Sequence, residues 1–166
     1  MIFSSLREFF YKLYNIFLIS MLIPMLVFIG IYYLLLSNVV QPFISDTDAV
    51  QILVVTFPIL ALIALTIVHW SASARLKALS REPSLGIKLE DYLSAASLRL
   101  KGCVFGSLLM AVGLFFTNHQ YFGIYFGVII LWVIVIWPSP RRVCKDLRLK
   151  KDEAQLVKSK GEAFNN

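Results

Sequence analysis

Carboxylates are missing from the places where an ion-coupled transporter would need them. Four long apolar stretches, at about 13–36, 49–70, 100–117 and 121–137, contain no Asp or Glu. Proton- and cation-driven carriers usually keep an ionisable group in the bilayer, where function offsets its cost. The first stretch and its end offer only Asn15, Ser20 and Asn38 instead. Cysteine is also scarce. Cys103 and Cys144 have no second Cys or His at metal-ligand spacing, and in a reducing compartment they are expected to be two free thiols. The two histidines, His69 and His119, fall near opposite ends of the membrane and cannot share a metal. No nucleophile and base pair, Gly-rich phosphate loop or haem-attachment pattern occurs, so neither catalysis nor a cofactor nor a metal is expected.

What the chain has in excess is apolar surface. Hydrophobic residues make up 58% of its 166 positions and aromatics 14%, too apolar for a soluble domain. A spanning helix needs roughly 20 apolar residues, so four spans leave no room for a second domain. The expectation is an all-α polytopic membrane protein of one domain. It has four transmembrane helices in two hairpins, cytoplasmic helical extensions and a basic tail over 138–166. The first apolar run is longer than a secretory h-region and is expected to be retained.

Basic residues fall on one side only. Arg7 and Lys12 precede the first span, and six Lys or Arg lie between the second and third. Eight more follow the fourth, and the two remaining connections carry none. By the positive-inside rule both termini and the central loop are cytoplasmic, and the two short connections face outward. Asp46 and Asp48 are the acidic residues on that outer side. Arg75, Lys77, Arg81, Arg141, Arg142, Lys145 and Arg148 are the candidate contacts for anionic headgroups or a partner protein. No recognition motif with interleaved aromatics accompanies the charge, and no nucleic-acid role is expected.

Local signals refine the spans. Pro24 and Pro58 each remove a backbone hydrogen bond and are expected to kink the first two helices, at one level if these are antiparallel neighbours. Helical propensity continues past Trp70 to about Ser80, where Glu82-Pro83 breaks it. From Lys88 to Leu100, Leu89, Tyr92, Leu93, Ala96 and Leu100 form an apolar face opposite Lys88, Asp91 and Arg99, which predicts an amphipathic helix running into the third span. Ser139-Pro140 reads as the N-cap and first position of a surface helix through Leu149. Asp152 with Gln155 resembles a capping box.

Glycines mark candidate close approaches. Gly102 and Gly106 form one GxxxG, and Gly123 and Gly127 form another. Measured from the turn near Asn118, Gly113 and Gly123 lie at similar depth and are placed to pack on each other. Gly102 and Gly106 fall opposite 131–135. Their notch is filled by those side chains, by another helix of the chain or by a partner.

The region from Tyr92 to Glu153 resembles a family of small, functionally unassigned membrane proteins of Bacteroidota. The likeness rests on Asp91-Tyr92 leading to Leu98-Arg99, on Phe116-Thr117-Asn118, and on Trp137-Pro138-Ser139 with Arg142-Val143 and Asp146-Leu147-Arg148-Leu149. Members often carry Arg-Pro-Thr in place of Trp137-Pro138-Ser139 and Leu-Glu-Gly in place of Leu100-Lys101-Gly102. The resemblance implies a bacterial inner (cytoplasmic) membrane setting. Together these features point to a non-catalytic accessory or scaffold subunit that meets lipid headgroups, a membrane-protein partner or a second copy. A small oligomeric transporter or channel is the alternative.

Overall fold

A computed structural model describes residues 5–79 and 84–159, apart from the side chain of Lys151. Arg81 and the Glu82-Pro83 break lie outside the described residues. The described chain is all-helical: α1 (Leu6–Leu36), α2 (Thr47–Leu79), α3 (Leu85–Thr117), α4 (Tyr121–Val135), α5 (Pro140–Asp146) and α6 (Lys151–Lys158). Three of these, α1, α2 and α3, are long and apolar enough to cross a membrane. At 1.5 Å per residue each measures about 45–50 Å, well beyond the roughly 30 Å of a hydrocarbon core. With 15 residues, α4 reaches about 22 Å and qualifies as a span only together with α5, to which it joins through an 82° bend.

Caps explain where the helices begin and end. Extended Ser5 accepts a hydrogen bond from the Glu8 amide at 3.2 Å and starts α1. The Ser37 hydroxyl donates to the Tyr33 carbonyl, and Asn38, at φ 54°, turns the chain away. Asp46 starts α2 by accepting from the Ala49 amide at 3.2 Å, with Asp48 in the first turn beside the positive helix end. Left-handed Asn118 ends α3, and the Thr117 hydroxyl folds back onto the Gly113 carbonyl. Ser139 accepts from the Arg142 amide and Pro140 occupies the first turn of α5. That helix stops at Asp146 rather than Leu149, because Arg148 adopts φ 50° and the Leu149 amide returns to the Cys144 carbonyl. The capping box at Asp152 does not form. Lys150 holds the N-cap position of α6 without a side-chain bond, and Asp152 lies inside the first turn, where a carboxylate still favours the helix dipole.

The central element is α3. It packs against α1, α2 and α4, whereas α1 and α2 make at most marginal contact with each other. The first pair is therefore not a packed hairpin, and Pro24 and Pro58 do not meet at a shared interface: Pro24 is buried within an unbroken α1, and Pro58 lines a groove on α2. Burial reflects this plan. Over its most apolar window α3 is 56% buried, against 17% for α1 and 11% for α2, whose outer faces display Leu, Ile, Val and Tyr side chains. Such faces suit acyl chains, since lipid tails are as apolar as the side chains they meet.

The two ends differ in kind. At one end the 37–46 connection docks on the α3–α4 turn, through the Ile44 amide to the Phe116 carbonyl at 3.0 Å and through Phe43 against Phe115 and Phe116. At the other end the starts of α1 and α3 join α5 and α6 around the far part of the same hydrophobic core, where Phe9, Phe10, Leu13, Tyr92, Leu100, Val143, Leu147 and Val157 are almost fully buried. Tyr14 stacks on Trp137 and Phe17 meets the same indole edge-on, so the α4–α5 bend is held against α1. Apart from Lys101, at the midpoint of α3, the Lys and Arg side chains among the described residues lie toward this second end.

Candidate functional site

Two features stand out, a polar lock at the basic end and a groove beside it. The lock is built on one stripe of α3. Lys88, Tyr92 and Arg99 follow one another at spacings of four and seven residues, which places them on the same side of the helix. The sequence pattern set Lys88 and Arg99 on the solvent side, opposite Tyr92. The structure turns them inward, because each finds an acid on the tail. Lys88 is buried to 6% exposure, with its ammonium 3.2 Å from the Glu153 carboxylate of α6. Arg99 approaches Asp146 of α5 at 3.8 Å and donates to the Ser73 hydroxyl of α2 at 3.1 Å. Tyr92 donates to the same Asp146 at 3.5 Å. Lock and core together clamp α2, α3, α5 and α6.

Cys144 belongs to this unit. Its thiol points to the Ala154 carbonyl at 3.6 Å, and burial pushes its pKa up, with nearby Lys158 pulling the other way. Burial outweighs the lysine and leaves it a packed thiol rather than a thiolate. Cys103 is also buried and free, with no neighbouring cysteine.

A groove of about 760 Å³ runs between α2 and α4. Met110 of α3 lines it together with Pro58, Ala61 and Leu65 of α2 and Ile129 and Trp132 of α4. Most of its lining is apolar. At the basic end His69 and Ser73 enter the wall and the His69 ring meets Trp132 edge-on at 5.9 Å, while Tyr125 lines the groove toward the other end. Thr66 spends its hydroxyl on the Leu62 carbonyl of its own helix.

The glycines take different roles. Gly102 is covered by Val68 of α2, with side-chain atoms 3.1–3.4 Å from where a Cβ would sit. Gly106 faces Ile129 and Ala61, so this notch is filled from α2 and α4, by residues other than 131–135. Gly113 does not meet Gly123. It receives the Phe122 ring, while Gly123 has only the tip of Phe28 nearby at 3.9 Å. A Cβ at Gly127 would meet no other helix or side chain within 4 Å among the described residues.

Of the residues expected at a headgroup or partner surface, Arg75, Lys77, Arg141, Lys145 and Arg148 are exposed. Arg142 is half-buried, with its guanidinium donating to the Val135 carbonyl at the end of α4. The lock residues Lys88, Arg99, Asp146 and Glu153 were not picked out from sequence as a set. The available signal was their spacing, two basic residues on the Tyr92 stripe of α3 and two acids in the tail. No group of three or more His, Cys, Asp or Glu side chains among the described residues could hold a metal ion.

Compared with family models, curated proteins and solved structures, the chain has no match in any of the three.

Proposed function

We propose that the chain is a non-catalytic, four-span protein of a bacterial inner membrane, with both termini in the cytoplasm, serving as an accessory or scaffold subunit. The observation that carries this reading is the folded basic end. Its buried charges are consumed in tying α5 and α6 to α3. Arg75, Lys77, Arg141, Lys145 and Arg148 remain on its surface, suited to anionic headgroups or an acidic partner. A rigid unit that neutralises its inner charges and displays its outer ones fits a docking platform. The docking of the 37–46 connection on the α3–α4 turn supports placing both connections on one side, and α4 with α5 would then complete a fourth crossing. The large uncovered faces of α1 and α2 suit lipid or the helices of a partner.

Reconstitution decides between this reading and a transporter. Proteoliposomes holding only this protein should be electrically silent and take up no ions or small cationic solutes, while the detergent-extracted protein should elute in a complex of fixed stoichiometry. A protein-dependent conductance or uptake would refute it.

A further inference from the structure

We propose that the α2–α4 groove holds an acyl chain of an acidic phospholipid, whose phosphate lies at the end walled by His69 and Ser73 and backed by Arg99 and Arg142. This inference rests on the reading that the chain is embedded with its basic end at a leaflet surface, and it adds a specific site to the general basic face.

The argument starts from shape. From Pro58 to Ser73 the α2 wall of the groove rises about 22 Å, longer than the roughly 15 Å of hydrocarbon in one leaflet. Its volume of about 760 Å³ lies within the range of ligand-binding cavities. The apolar stretch suits a hydrocarbon tail, and apart from Tyr125 toward the other end and Thr66, bonded within its own helix, the polar lining is His69 and Ser73 at the basic end.

Charge then selects the headgroup. The Arg99 guanidinium stands behind the groove wall, donating to Ser73, and its Nε–H is buried without an acceptor among the described residues. Arg142 reaches the opposite wall by donating to the carbonyl of Val135, another lining residue. His69 sits in the field of both. The nearby Asp146 carboxylate is already engaged by Arg99 and Tyr92. Among the described residues Arg142 has no carboxylate within 4 Å. The groove end therefore keeps an excess of positive charge, and Arg142 retains N–H groups beyond the one it gives Val135, in a fork that matches phosphate oxygens well. A zwitterionic headgroup brings its own ammonium into that field and is disfavoured.

Brominated-lipid quenching tests this. A Trp70→Phe, Trp137→Phe protein retains Trp132, which lines the groove. It is reconstituted into phosphatidylcholine vesicles containing equal fractions of bromine-labelled phosphatidylglycerol or bromine-labelled phosphatidylcholine. Trp132 should show about fivefold stronger apparent binding of the acidic lipid, the scale expected for one basic residue at an anionic surface. Arg142→Gln should bring the ratio close to one, Arg142→Lys should keep most of it, and Lys158→Gln should leave it unchanged. Thermal denaturation of each variant separates loss of the site from loss of the fold, and the unsubstituted ratio with Arg142→Lys decides the matter if Arg142→Gln does not fold. Equal quenching by the two lipids overturns the proposal, as does an equal loss in Lys158→Gln, which would mark surface attraction alone. A chain that stays out of the vesicles overturns the membrane reading as well.

Discussion

At the scale of single residues, identical chemistry has different consequences according to what lies opposite. A Cβ at Gly113 would overlap the Phe122 ring, whose Cδ1 and Cζ lie 2.6 Å from it, and Phe122 is fully buried with nowhere to turn. Gly113→Ala should therefore cost about 1–3 kcal/mol as an overpacked core. Gly127→Ala, with nothing within 4 Å, should stay within about 0.5 kcal/mol of the parent. Thermal denaturation of the two variants in one detergent checks the contrast. The depth of Gly113 and Phe122 was legible from the turn at Asn118, but their partnership was not. The fourth helix is apolar on every side, so nothing in its sequence fixes its rotation about its own axis, and one residue of rotation exchanges Gly123 for Phe122. A second contrast concerns Lys88 and Glu153. Removing the acid leaves an ammonium that is 8% exposed without its partner, whereas removing the cation leaves a carboxylate that still reaches water at 26%. Glu153→Gln should cost about 2 kcal/mol, between the values for surface and buried pairs, and Lys88→Met, which keeps the apolar stem, should cost less. Denaturation midpoints of both variants measure this, and the reverse order would contradict it.

At the scale of elements, Ser5, Asp46, Asn118 and Ser139 each stand where a helix starts or stops, and of these the sequence pattern singled out Ser139 with Pro140 as a cap. The end of α5 did not follow, because Arg148 takes a left-handed conformation that its side chain gives no reason to expect. That turn lets α6 fold back so that Val157, with Val143 and Leu147 of the preceding segment, joins the core. The inward placement of Lys88 and Arg99 was hidden for a related reason. A helical wheel ranks charges as solvent-facing, and only the arrival of Asp146 and Glu153 from a distant segment reverses the ranking. Leu147 is fully buried, so Leu147→Ala should cost about 2–5 kcal/mol locally and release α6. Amide exchange across 151–158 should then approach the rate of unstructured chain while exchange in the apolar half of α3 remains slow. Unchanged protection in α6 would show that the tail does not depend on this core.

At the scale of the whole molecule, the placement of Lys and Arg and the geometry meet at one point, the two short connections. Charge alone assigns the two short connections to one face, and packing brings them together, with Ile44 bonded to Phe116 and Phe43 set against Phe115. The helical character and the long apolar elements were readable from composition and periodicity. The central position of α3 was not, since three apolar helices of similar length give no order of packing until glycines and large side chains are matched. Whether α4 completes a crossing decides the topology, because its 15 residues are short and its partner α5 turns away by 82°. The measurement that tests this most directly is single-cysteine labelling with a membrane-impermeant maleimide. Ser45→Cys, Gln120→Cys and Ser159→Cys are introduced one at a time into a Cys103→Ala, Cys144→Ala background in intact cells with a permeabilised outer membrane. The four-span account predicts labelling at positions 45 and 120 from outside, and at 159 only after the inner membrane is opened. Labelling of 45 and 120 from opposite sides, or of 159 from outside, would contradict it.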